Sequence, residues 1–384
     1  MRQFNILIVG LIRDKKKFQD VLFFLSEMKK KGYLKRLVLS TWEREVKGQQ
    51  EVINLFQEKS GLEVVSLSEP NIKLPGHLVH QMKALYYGLS VFEEDDYVLK
   101  IRLDLSDINE AKIKYLYQLD SYRTTIEQSV PSIFSEKIGI EGGFLFSPFY
   151  LNDITFYGKK LDLSKLVNLD LMLDVKYSNL SPEQWFHFSP FIGSSIEKAF
   201  DNYFRMQEPL ISHEPLLNNE RLAKKLKSNY FKNIIRLYFS ILNIYYFPIT
   251  EITNKKANLS LFENSDLIQI NRNTGLPYFK DLSLVCESKI LGSNDIISLF
   301  DKQNNIFELI EYLSTENEGL IKYRETLNDI DQPSFRYFSK VGLNSFSVLN
   351  DKPIRAHMLS NSPTELKLQH EINRLRRLLD STNK

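Results

Sequence analysis

Of its 384 residues only one is cysteine, Cys286. That excludes an internal disulfide framework and leaves no cysteine cluster to hold a metal. Histidine is also sparse: six residues, scattered, with His77 and His80 the only close pair. Net charge is +2, from 50 Lys and Arg against 48 Asp and Glu, a balance that gives no nucleic-acid footprint. The triplets Lys15-Lys16-Lys17 and Lys29-Lys30-Lys31 read as solvated helix faces, the second favoured by a helix dipole, with a partner site as the alternative. An apolar run of the roughly 18 to 20 residues needed to cross a bilayer is missing. The nearest approach, NIIRLYFSILNIYYFPI at 233–249, is interrupted by Arg236 and Asn243 and reads as a buried helix. At the N-terminus the apolar stretch is too short for a secretory signal, so a cytoplasmic location is expected. Glycine is scarce, 15 residues against 26 Phe and 19 Tyr, which points to aromatic cores. No repeat or low-complexity segment is present.

What is there is alternation. FNILIV (4–9) reads as a strand ended by Gly10, and Phe18, Val21, Leu22, Leu25 and Met28 recur at helical spacing before Gly32. RLVLS (36–40) is a second strand, Val52, Ile53, Leu55 and Phe56 mark a second helix, and LEVVSL (62–67) is a third strand. A helix between Gly76 and Phe92 then leads to YVLKIRLDL (97–105). Strands alternating with helices over short connections predict an α/β fold: a Rossmann-type, mainly parallel sheet with helices on both faces. Later come a helix at about 109–119, a strand, a Pro148 turn and a second strand or loop in 138–158, and a helix opened by Ser181-Pro182. Strand-like runs at 266–270 and 282–288 are candidates to rejoin the sheet. In 363–381, Leu368, Ile372, Leu375 and Leu379 form a short coiled-coil seam that could dimerise, dock on the domain or bind another protein.

Ligands of such sheets bind beyond the carboxyl ends of the strands. Gly10 to Arg13, Ser40 to Trp42, Ser66 to Pro70 and Arg102 to Asp104 are therefore expected to share one cleft. Lys100, Arg102 and Asp104 fall on one face at the end of the fourth strand. Arg102, with Arg13, could bind phosphate oxygens, and Asp104 could hold a magnesium or manganese ion or a ribose hydroxyl. The alternative is an ion pair within the sheet edge.

The stretches LVLSTWERE (37–45), HLVHQMKALYYGL (77–89), YVLKIRLDL (97–105) and SPFYLNDITFYGKKLDLSKL (147–166) resemble the successive motifs of the WavE family, which is associated with lipopolysaccharide core synthesis. Matched are Ser40-Thr41-Trp42, Gln81 with Gly88-Leu89, Lys100 to Asp104, Asp153 with Phe156 and Gly158, and Glu183-Gln184. Gly76-His77 stands where the family has an asparagine-containing turn, and His80 where arginine is common. The resemblance implies a GT-A-like fold with helical C-terminal additions. Residues 1–106 would be the nucleotide-sugar-binding half, 107–330 the acceptor-side half with helical additions, and 331–384 a C-terminal extension. It implies a glycosyltransferase taking sugar from a nucleotide-sugar donor to a glycan or lipid-linked glycan of the bacterial surface, lipopolysaccharide or capsule, at the inner face of the inner membrane.

Within that reading Gly10, Arg13, Ser40, Thr41, Trp42, Gln81, Lys100, Arg102 and Asp104 are the donor-binding candidates, with Asp104 the metal candidate. An inverting transferase needs a carboxylate base. Asp153 is the first candidate because a charge in the apolar segment SPFYLNDITFYG must be paired or functional; Asn152-Asp153 is equally a good turn dipeptide. Glu183 is the second, with a helix-dipole partner as its alternative. Trp42 could stack on base or sugar or be buried in the core. His80 and His187 are more often structural. A sugar nucleotidyltransferase would use a similar sheet but needs a glycine-rich basic loop, and VGLIRDKKK is poor in glycine. A non-catalytic scaffold of a glycan-assembly complex, using the C-terminal seam, is the third class.

Overall fold

In a computed structural model of the chain, residues 2–70, 77–103, 108–119, 121–126, 131–144, 147–168, 180–206, 225, 227–249, 269–270, 277–280 and 305–328 are described. Asp104, Cys286, the run 282–288 and the seam at 363–381 lie outside them.

Four strands are parallel neighbours: β1 (Phe4–Val9), β2 (Leu34–Trp42), β3 (Leu62–Leu67) and β4 (Tyr97–Arg102). With β5 (Ile138–Ile140), β7 (Thr155–Lys159) and β8 (Tyr246–Pro248) they form a seven-stranded sheet in the order β3-β2-β1-β4-β7-β5-β8. β7 runs antiparallel to both β4 and β5, while β8 is parallel to β5. The α/β class and the mostly parallel sheet expected from the alternation are therefore present. A second sheet joins β6 (Gly142–Phe144), β9 (Gln269–Ile270) and β10 (Pro277–Lys280). Of the run at 266–270, Gln269–Ile270 joins this small sheet rather than the main one, and 266–268 lie outside the described residues.

β1 shows why both faces are covered. Phe4, Ile6 and Ile8 pack on one side with Phe18, Leu22 and Leu25 of α1 (Lys15–Lys30) and Val52, Ile53 and Phe56 of α3 (Gln50–Ser60). Leu7 and Val9 face the opposite core, with Val79, Met82 and Leu85 of α4 (Leu78–Leu89). Between α1 and α3, α2 (Glu43–Gly48) follows directly on β2. Gly88 sets the closeness of α4 to the sheet: a Cβ there would lie 2.6 Å from Leu7 Cδ1 and 3.0 Å from Ser40 Cβ.

That opposite core is rich in aromatic rings. It contains α8 (Pro182–Phe188), α9 (Ser195–Met206) and the long helix α10 (Asn229–Tyr245), with α11 (Ile306–Ser314) against α9 and α10. The stretch read as one buried helix over 233–249 instead ends at Tyr245, and β8 begins at Tyr246. Pro248 lacks the N–H and disfavours helical geometry at Phe247, so the apolar run passes into a strand. Among the described residues no helix is long and apolar enough to cross a membrane.

Candidate active site

Strand register fixes the first half of the site. Val9 aligns with Ser40 on one side and Arg102 on the other, and Ser40 aligns with Val65. The carboxyl ends of the four parallel strands therefore lie in one row. Gly10 turns the chain out of β1 at φ +104°, with open space where a Cβ would stand, a geometry that favours glycine. Ser40 and Thr41 are buried, and their hydroxyls donate to the Ala84 and Gly10 carbonyls, each at 2.7 Å. They tie α4 and the β1 turn to β2. Trp42 is buried and meets the His80 ring edge-on at 5.5 Å, with His77 5.6 Å beyond. Gln81 is half-buried in the first turn of α4, and Arg13 is exposed beside the β1 turn.

The antiparallel pairing of β4 with β7 supplies the second half. Lys100 is opposite Phe156, and the Arg102 N–H donates to the Ile154 carbonyl at 3.0 Å. That register brings Asp153, just before β7, beside the end of β4. Arg102 Nη1 lies 3.2 Å from Asp153 Oδ2 in an ion pair whose side chains are 21% and 5% exposed. Beneath it, buried Lys100 donates through Nζ to the Asp153 carbonyl, with its ammonium 4.7 Å from the Phe156 ring centre. The turn itself is made by Asn152, whose Oδ1 accepts from the Ile154 N–H at 2.6 Å. Of the two readings of the Asn-Asp pair, Asn152 takes the turn and Asp153 the charge pairing.

Glu183 completes a carboxylate pair. It sits in the first turn of α8, where Pro182 precedes it and Ser181 caps the helix. Burial, and then the charge of Asp153, push its carboxyl up to about 7, against smaller opposing contributions from hydrogen bonding to Ser181 and from Arg102. A helix-terminus carboxylate would be expected to fall rather than rise, so desolvation and its neighbour dominate. Tyr150 is also buried, and its phenol is pushed upward by burial and by the charges of Glu183 and Asp153. His187 is fully buried and held neutral: desolvation lowers it to about 3, with Lys100 adding to the fall and the Asn152 carbonyl opposing it. Neither ring nitrogen makes a hydrogen bond of full geometry among the described residues.

Sequence reasoning found Lys100, Arg102, Asp153 and Glu183, which the fold brings together. It missed Tyr150, three residues before Asp153, and the buried ion pair of Lys112 on α5 (Glu110–Tyr117) with Glu141. Gly142, next to Glu141, accepts at 2.7 Å from the Asn152 N–H, so this pair backs the Asp153 segment. Among the described residues, no group of three or more His, Cys, Asp or Glu side chains could hold a metal. Asp153 is engaged by Arg102, and burial beside Asp153 disfavours the ionised form of Glu183. These two carboxylates alone do not fit a magnesium or manganese site, and Asp104, the metal candidate, lies outside the described residues. No family model, curated protein or solved structure matches the chain.

Proposed function

We propose that this protein is a glycosyltransferase of the kind its motifs resemble. It would move a sugar from a nucleotide-sugar donor to a bacterial surface glycan, free or lipid-linked, within a GT-A-like domain. The observation that carries the reading is the meeting of Arg102, Asp153 and Glu183 at the carboxyl edge of a parallel sheet. The edge is where nucleotides bind in such folds. Arg102, with a side chain 21% exposed, stands at that edge beside Asp153, and buried Lys100 lies beneath the pair. A guanidinium partly open to solvent at that edge suits an anionic ligand such as a diphosphate.

In the proposed step, Glu183 in its ionised form takes the proton of the acceptor hydroxyl. The acceptor oxygen bonds to the anomeric carbon, and the bond from that carbon to the diphosphate oxygen breaks. The electron pair leaves with the nucleoside diphosphate, whose growing charge Arg102 stabilises. Asp153 orients Arg102 and keeps the Glu183 carboxyl basic enough to work near neutrality. A base with a pKa close to the operating pH is the most effective compromise between ionisation and proton affinity.

The test is incubation of the purified protein with a panel of nucleotide sugars, with and without Mn²⁺. Slow release of a nucleoside diphosphate from one of them is the expected result. Formation of pyrophosphate from a nucleoside triphosphate would instead identify a nucleotidyltransferase, and absence of turnover and of any nucleotide-induced rise in melting temperature would favour a scaffold.

A further inference from the structure

We infer that Gln184 is a positioning residue: it locks the loop carrying Asp153 onto the helix carrying Glu183 and so fixes the separation of the two carboxylates. The inference rests on the proposed function for its catalytic consequence, but not for its geometry. Gln184 is fully buried, one residue after Glu183. Its Nε2 donates to the Pro148 carbonyl at 2.9 Å and approaches Ser147 Oγ at 3.5 Å. Its Oε1 accepts from the Ser181 N–H at 3.3 Å, and its own N–H donates to Ser181 Oγ at 3.3 Å. A capping box needs only the bonds to Ser181. Those to residues 147 and 148 reach across to another element, so one amide serves both the helix start and the loop.

The loop has little freedom once held there. Phe149 follows Pro148 with φ +62°, a left-handed conformation rare for an aromatic residue. Its ring is nonetheless fully buried, with centroids at 5.1 Å from Phe188 of α8 and 5.0 Å from Phe200 of α9. Downstream, the Tyr150 N–H donates to the Ser147 carbonyl at 3.0 Å, and the Asn152 N–H is fixed to Gly142. The clamp, the strained residue and the turn thus lie in series between Gln184 and Asp153. Strain of this kind persists only where the surroundings over-determine it.

Gln184→Met keeps the volume and removes the side-chain bonds to Pro148, Ser147 and the Ser181 N–H, leaving the backbone bond to Ser181 Oγ. With the loop released, Asp153 and solvent should redistribute around Glu183, and its carboxyl should return toward the ordinary range. Turnover is then expected to fall at least tenfold with the donor KM little changed, and the limb of the pH–rate profile that rises near pH 7 should move to lower pH. A second readout needs no activity: the loss of melting temperature between pH 5 and pH 7 should flatten in the variant. Ser228→Ala, which removes the remote N-cap of α10, is the control, lowering the melting temperature without altering its pH dependence. If Gln184→Met does not fold, Ser147→Ala should give the same shift in smaller measure. A stable variant with an unchanged pH limb and an unchanged pH–melting curve would overturn the inference. A flattened melting curve without detectable transfer in any nucleotide sugar would uphold the clamp and refute the transferase reading instead.

Discussion

Glu183→Gln is expected to remove turnover by roughly 10²–10⁴-fold, the usual contribution of a general base, while making the protein more stable above pH 7. The sign follows from proton linkage. In the unfolded chain a glutamate titrates near its ordinary value of about 4.3, whereas in the folded state Glu183 holds its proton up to about 7. Below pH 4 the carboxyl is neutral in both states and stability is indifferent to it. As pH rises through the ordinary value toward 7, the unfolded chain releases a proton that the folded state keeps, so stability declines until the folded group also ionises. Because the side chain is partly exposed, the full decline should be at most about 2–3 kcal/mol. Glutamine cannot titrate, so the advantage of the variant over the parent should be small at pH 4 and full at pH 8, as measured by urea denaturation at the two values. Loss of activity together with a gain in stability is the signature of a group kept in an unfavourable environment for chemistry. Equal pH dependence of the two proteins would place Glu183 in an ordinary solvated setting.

Arg102→Met should be the more damaging change to the fold. It strips the cation from Asp153, whose side chain is 5% exposed, and an unpaired buried carboxylate destabilises by about 3–5 kcal/mol. Asp153→Asn should cost less, because the Arg102 guanidinium is 21% exposed and can turn to water. The double variant should recover most of the loss, since neither group then carries an unmet charge. A cycle of urea midpoints over the four proteins measures the coupling. Additive losses would mean that the ion pair does not hold β4 to the start of β7.

Much of this architecture could be read before the fold was known. β1 is an apolar run ended by Gly10, β4 is a largely apolar one interrupted by Lys100 and ended by Arg102, and α4 shows its buried stripe at Leu78, Met82, Leu85 and Leu89. Asp153 stood out because an ionised group in an aromatic segment requires a partner, and Arg102 is that partner. β8 was hidden because Tyr246 and Phe247 extend the apolar pattern of the preceding helix, and only pairing with β5 distinguishes them. The Gln184 clamp was invisible for a different reason. A glutamine at the third position of a helix predicts a capping box, but nothing local reveals that its amide also reaches Pro148, 36 residues earlier. Lys112 and Glu141 likewise meet only through the tertiary fold. The left-handed geometry of Phe149 is imposed by the surrounding aromatic core and leaves no mark in composition.

Central to the account is that Arg102 receives the diphosphate of the donor, and calorimetric titration of nucleoside diphosphates into the parent and into the Arg102→Met/Asp153→Asn protein tests this most directly. The double variant is expected to remain folded, so a difference in binding reports the guanidinium and not unfolding. At least one diphosphate should bind the parent, with affinity reduced tenfold or more in the variant and weakened in the parent by added salt. Equal affinity in the two proteins, or no binding of any nucleoside diphosphate to the parent, would contradict it.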